Sequence, residues 1–153
     1  MSASPHASRM VQLSVVVPVR NEEDNILPLL EEIHAALEQR CEFEVVYVDD
    51  GSRDGTPRIL RDALVRFPRL RVLAHRQSCG QSAALLTGVR AARGEWIGTL
   101  DGDGQNDPAD LPKLLAARDD PARPANLLLV SGYRKARRDS WLKRLSSRVA
   151  NAV

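Results

Sequence analysis

The sequence predicts an α/β protein, an open and mostly parallel sheet sandwiched by helices, and three observations predict it. Short apolar runs rich in β-branched residues alternate with stretches whose apolar residues recur at helical spacing. The strand-like runs lack polar alternation, the habit of strands covered on both faces. The connections between elements are short, which favours neighbouring strands and helices packed in layers.

The elements follow one another from residue 13. LSVVVPV at 13–19 is the first strand run. Ile26, Leu29, Leu30, Ile33 and Leu37 then fall on one helical stripe. FEVVYV at 43–48 is the second strand run, and Thr56 followed by Pro57 reads as an N-cap with proline at the first helical position. The helix they open carries Ile59, Leu60, Ala63, Leu64 and Phe67 on one face. LRVLA at 70–74 is a third strand, and Ala84, Leu85, Gly88, Val89 and Ala92 mark a third helix. WIGTL at 96–100 is a fourth strand, Asp107 before Pro108 repeats the capping signal, and NLLLVSG at 126–132 is a fifth strand run.

A chain of 153 residues, 43% hydrophobic and 27% charged, makes one globular domain. No apolar run approaches the roughly 20 residues that span a bilayer. Residues 1–12 lack a signal-peptide core and read as a disordered leader. Cys41 and Cys79 match no metal spacing and are too few for a disulfide framework, so both are expected to be half-buried thiols in a reducing, cytoplasmic setting. The net charge of +2 is unevenly spread: residues 131–153 hold seven basic side chains against Asp139, a net of +6, leaving −4 for the rest. Such a tail suits an anionic partner. From Asp139 onward Trp141, Leu142, Leu145 and Val149 share one helical face, with Lys143, Arg144 and Arg148 turned to the others. That pattern fits either a helix docked on further protein or one resting on an anionic membrane surface.

In parallel sheets ligands bind outside the carboxyl ends of the strands, so the loops there are the ones to inspect. VDDGSRDGT at 48–56 places Asp49 and Asp50 at a strand tip and Asp54 near a helix start. Asp49 and Asp54 suit turn and helix capping as well as a site. Asp50 is placed to accept the imide N–H of a uracil or guanine ring. A phospho-acceptor receiver also carries paired acids, but after its first strand rather than its second. LDGDGQNDP at 100–108 flanks Gly102 with Asp101 and Asp103 and adds Gln105, an oxygen set for a hard divalent cation, Mg²⁺ or Mn²⁺. A calcium EF-hand fails here, because Asn106 stands where its glycine is required and Pro112 where its glutamate is required. Three carboxylates around one crevice would repel a diphosphate, each like-charge pair at about 5 Å costing roughly 3 kcal/mol at an effective dielectric near 20. A cation between them reverses that sign and stabilises a departing nucleoside diphosphate. No GxGxxG follows the first strand and no GxxxxGK[ST] occurs anywhere, which removes dinucleotide and P-loop sites.

Four segments in order now identify a resemblance: VVVPVRNEEDNI at 15–26, VDDGSRDGT, GQSAALLTGVRAARGEWIGTLDGDGQNDP at 80–108, and SGYRKARRDSWLKRLSSRVAN at 131–151. The chain resembles glycosyltransferase family 2, especially the branch of dolichyl-phosphate mannosyltransferases and undecaprenyl-phosphate glycosyltransferases. The resemblance implies a Rossmann-like GT-A fold with its C-terminal part missing. It implies a nucleotide-sugar-binding domain over 13–132, and at 133–153 a basic amphipathic segment that begins the acceptor or membrane side. Pro18 and Glu22 would line the nucleoside pocket with Asp50, and Arg20, Val48 and Gly102 would complete that wall. Asp101 and Asp103 would form the Asp-x-Asp catalytic pair for metal and diphosphate, with Gln105 as a further ligand. Arg134 would face the donor or lipid phosphate. Where Arg20 stands, family members often carry an aromatic residue. The chain ends at Val153 inside a helical pattern, so it is expected to be a fragment of a longer protein or a truncated relative.

The expected donor is a UDP- or GDP-linked sugar, and no nucleic-acid partner is expected. A polyprenyl phosphate acceptor is anionic near neutral pH, its second pKa being about 6, and needs no general base. A saccharide hydroxyl would need one, and these motifs do not supply it. Inverting transfer to polyprenyl phosphate at the inner face of the cytoplasmic membrane is therefore the leading reading. Transfer to a cell-envelope glycan and a non-catalytic nucleotide-sugar binder are the alternatives.

Overall fold

The computed structural model describes residues 10–126 and 129–131. Four parallel strands form one sheet: β1 (Leu13–Val19), β2 (Phe43–Asp49), β3 (Leu70–Ala74) and β4 (Trp96–Thr99), in the order β3-β2-β1-β4. The helices α1 (Ile26–Leu37), α2 (Thr56–Arg66), α3 (Gln81–Ala91) and α4 (Leu111–Asp119) connect and flank them, with a 3-10 turn at Pro108–Asp110. β1 pairs with β2 from Leu13↔Phe43 to Val19↔Asp49, and with β4 from Leu13↔Trp96 to Val16↔Thr99.

The strand order determines where the helices sit. From β1 to β3 the chain moves outward in one direction, and it then returns past β1 to place β4 on the other side. Right-handed crossovers put α1 and α2 on one face and force α3 to the opposite face. The core follows that division. Val15, Val17, Val45 and Tyr47 pack with Ile26, Leu30, Ile33, Leu37 and Leu60 on one face. Val16, Val46 and Val48 meet Ala84 of α3 on the other. All residues of β1 and β2 are buried, as unbroken apolar runs require, whereas β3 and β4 are partly exposed edges. Among the described residues no helix is long and apolar enough to cross a membrane.

Several local expectations change. Thr56 is the first residue of α2 and Gly55 its cap, while the Thr56 hydroxyl accepts the Glu22 N–H at 3.0 Å. The hydroxyl of this fully buried residue thus pairs with a donor from the loop after β1 instead of capping its own helix. Leu64, on the expected buried stripe, is 41% exposed. Cys41 is half-buried as expected, but Cys79 is exposed. Residues 129–131 carry no strand assignment, and the rest of the fifth run at 127–128 and 132 lies outside the described residues, as do Arg134 and the basic helix from Asp139.

Candidate functional site

The order in which strands are added reverses between β1 and β4, and in such sheets the crevice at the reversal point is where ligands bind. A cavity of about 450 Å³ opens there, lined by residues from the carboxyl ends of β1, β2 and β4 and the start of α3. Pro18, Arg20, Glu22, Asp50, Asp101, Gly102 and Asp103 all lie on its wall. Val48 and Gln105 are not on the lining, and Arg134 lies outside the described residues.

Backbone-to-side-chain bonds fasten the loops that follow β1 and β2 to each other. Asn21 N–H donates to Ser52 Oγ at 2.9 Å, and Arg53 N–H returns to Asn21 Oδ1 at 2.8 Å. Glu23 N–H donates to Asp54 Oδ2 at 3.2 Å, and Gly55 N–H donates to Glu23 Oε2 at 2.7 Å. Asp49 accepts Ser52 N–H at 2.9 Å, so Asp49 and Asp54 both serve the loop. Glu22, left facing the crevice, accepts from Asn25 Nδ2 at 2.7 Å.

The acidic loop begins where β4 leaves the ladder, with Leu100 N–H donating to Val16 O at 3.2 Å. Asp107 ends it by capping the 3-10 turn, accepting Ala109 N–H at 2.9 Å. Gly102 is buried against the tip of β1, and a Cβ at that position would overlap Val19 Cγ1 and stand 2.9 Å from Pro18 O. Only glycine lets the loop lie that close, and it sets Asp101 and Asp103 beside Pro18. Asp101 Oδ1 accepts from Gln81 Nε2 and Oδ2 from Asn106 Nδ2, each at 3.1 Å. Asp103 Oδ1 accepts the Gln105 N–H at 3.0 Å.

Asp50 is the most constrained acid. Its Oδ1 accepts from His75 Nδ1 at 2.7 Å and Cys79 N–H at 2.8 Å; its Oδ2 accepts from Ser78 Oγ at 2.8 Å and Gly80 N–H at 2.9 Å. Burial alone would raise its pKa, but these four donors outweigh it and hold the carboxyl well below the usual carboxylate range. Four accepted bonds fill a carboxylate's capacity, so a base N–H reaching Asp50 has to displace a protein donor. Asp50, His75 and Cys79 also bring possible metal-ligating atoms within 4.8 Å of one another. A cation there would have to break the bonds that occupy Asp50, and the two ring nitrogens of His75 already face Asp50 and Thr87.

Sequence reasoning assigned no site role to Ser78, Gly80, Gln81 and Ala84, which also line the crevice. The amide- and glycine-rich QSCGQ after the third strand run was the available signal, since it too follows a strand's carboxyl end.

A parallel α/β sheet with an acid-lined crevice at its reversal point is the architecture of the GT-A glycosyltransferases, and the strand order and flanking helices here match part of it. The family model of glycosyl transferase family 2 matches residues 14–150, and the chain belongs to that family. It is 36% identical over 141 residues to the undecaprenyl-phosphate 4-deoxy-4-formamido-L-arabinose transferase of Aeromonas hydrophila subsp. hydrophila, covering 91% of this chain and 42% of that protein. It is 39% identical over 144 residues to the dodecaprenyl-phosphate galacturonate synthase of Rhizobium johnstonii, covering 92% and 41%. Among solved structures, the mannosyltransferase PcManGT from Pyrobaculum calidifontis in complex with GDP-Man and Mn²⁺ superposes with a TM-score of 0.65 at 30% identity, covering 77% of this chain and 35% of that one. The chain thus spans about two fifths of the length of these curated relatives.

Proposed function

We propose that this chain is the donor-binding part of a metal-dependent, inverting glycosyltransferase that moves a sugar from a nucleoside-diphosphate sugar to a polyprenyl phosphate. One observation carries the reading: Asp101, Gly102 and Asp103 share a single crevice with Pro18, Arg20, Glu22 and Asp50. Such a crevice has a nucleoside end, at the tips of β1 and β2, and an acidic end, at the tip of β4. The names of the two polyprenyl-phosphate relatives, and the GDP-Man and Mn²⁺ of the solved mannosyltransferase, support the substrate classes.

The donor set fits a hard divalent cation. Asp101 and Asp103 offer carboxylate oxygens whose present partners are neutral amide groups, which a cation displaces at small electrostatic cost. Asp101 and Asp103 would hold Mg²⁺ or Mn²⁺, with Gln105 as the further ligand. The ion supplies charge neutralisation for the leaving nucleoside diphosphate. Pro18, Glu22 and the wall built on Asp50 orient the nucleoside, which fixes the anomeric carbon relative to the acceptor. An acceptor phosphate attacks without a general base, because it is already anionic. A single displacement of this kind inverts the anomeric centre. The basic residues from Arg134 onward would receive the phosphate and an anionic membrane surface.

Asp103→Asn tests the site. Titration calorimetry with UDP or GDP and Mn²⁺ should show metal-dependent binding lost, with the circular dichroism spectrum unchanged. Equal affinity in the two proteins would sink the metal assignment.

A further inference from the structure

The Asp50 carboxylate carries an unresolved mechanical question: what fixes its plane. The last torsion of an aspartate is broad and weakly restrained, so partners must set it. Three of the four partners, Ser78, Cys79 and Gly80, belong to the very turn that Asp50 positions, and that turn runs directly into α3. They cannot serve as the reference.

His75 can. It directly follows β3, and its own N–H donates to Asp49 O at 2.9 Å, which extends the β2–β3 ladder by one bond. Its ring is held at both ends. Nδ1 meets Asp50 Oδ1 at 2.7 Å, and Nε2 meets Thr87 Oγ at 2.9 Å. An ionised carboxylate only accepts, so Nδ1 carries the proton in that bond. Thr87 Oγ1 also lies 3.0 Å from Ala83 O, one turn back along α3, and its single proton serves either that carbonyl or His75 Nε2. The His75 side chain is 17% exposed and is absent from the crevice lining.

We infer that His75 is a positioning residue of the donor crevice: clamped between β2 and α3, it orients Asp50 so that both carboxylate oxygens grip the 78–80 turn. The effect reaches the acidic end, because the turn leads to Gln81 and Gln81 Nε2 donates to Asp101. A bonded path therefore runs from Thr87 through His75, Asp50 and the turn to Asp101, without His75 touching the donor. The inference about nucleotide affinity rests on the reading of the crevice as a nucleotide-sugar site; the inference about the turn does not.

The test uses the full chain with His75→Ala, His75→Asn and Thr87→Val. Asparagine presents an N–H close to where Nδ1 stands and should restore the bond to Asp50. His75→Ala should accelerate amide hydrogen exchange at Cys79 and Gly80 and weaken UDP or GDP binding, measured with Mn²⁺, about tenfold. His75→Asn should return both to within about twofold of the parent. A residue that merely supports the fold would lower the melting temperature while leaving exchange at those two amides and the affinity as in the parent, and that result overturns the inference. If the parent binds neither UDP nor GDP, the donor reading fails, and the exchange rates alone decide the role of His75. Should His75→Ala not fold, Thr87→Val decides: it must speed exchange at Cys79 and Gly80, and unchanged rates there refute the positioning role.

Discussion

Asp50 shows how much one side chain can hold. Removing acceptor capacity there leaves part-buried donors unpaired, and the cost of a lost bond to a charged group is about 1.5–3 kcal/mol at most. Asp50→Asn keeps the shape but turns an amide group toward two of those donors, so urea unfolding should report a loss of roughly that size. The pH dependence has a definite sign. The native carboxyl titrates below its unfolded counterpart, whose pKa is about 3.9, so the native state binds fewer protons in that range. The stabilisation is fully present above about pH 4 and is lost as pH falls toward the native value. Unfolding followed from pH 7 to pH 3 should show a shallower decline in Asp50→Asn than in the parent. Identical slopes would remove Asp50 from the acid sensitivity of the fold.

The third helix is fixed at both ends by buried polar groups, and each end can be released separately. At its C-terminal end Glu44 of β2 accepts from Ser14 Oγ at 2.6 Å, from Arg93 N–H at 2.7 Å and from Arg71 Nη1 at 2.9 Å. Arg71 also donates to Ala91 O, the last residue of α3, at 2.8 Å. Burial raises the pKa of Glu44, but the bonds from Ser14, Arg71 and Arg93 prevail and lower it. Glu44→Gln loses the charge on which those bonds depend and should cost about 1.5–3 kcal/mol in urea unfolding. Between the two ends α3 approaches β1 and β2 closely at Gly88, where Val16 and Val48 leave no room for a side chain. A Cβ there would overlap Val16 Cγ1 and stand 3.1 Å from Val48 Cγ2, both in fully buried residues. Gly88→Ala gains up to about 1 kcal/mol of helix propensity yet should destabilise the protein by about 1–3 kcal/mol of overpacking. A rise in melting temperature would contradict that packing.

For the whole molecule, charge distribution sets the expected partner. The described body is the acidic part of the chain, and the +6 of residues 131–153 stands apart from it in sequence. Each basic residue near an anionic bilayer contributes about 1 kcal/mol, so four or more recruit a domain without a spanning helix. Co-sedimentation with liposomes should rise with anionic lipid content and fall with salt. Replacing Arg137, Arg138, Lys143 and Arg144 with glutamine should abolish it. Indifference of the parent chain to anionic liposomes at low salt would remove the membrane surface from the proposed function.

The sequence by itself determined the fold class, the positions of the four described strands along the chain and the acids that follow them, because those come from short-range periodicity and from one topological rule about strand ends. The stripe from Ile26 to Leu37 is buried throughout, and Asp101 and Asp103 lie in the crevice beside Pro18. Tertiary structure alone decided which partners these groups meet. That Thr56 serves the Glu22 N–H rather than its own helix, and that Asp50 is filled by donors from residues 75–80, depends on loops some 25 to 34 residues apart in sequence being brought together. Nothing in the local pattern encodes that contact. It arises because parallel pairing puts the carboxyl ends of β1, β2 and β3 side by side, and unpaired loop donors there must find acceptors wherever the sheet has placed them.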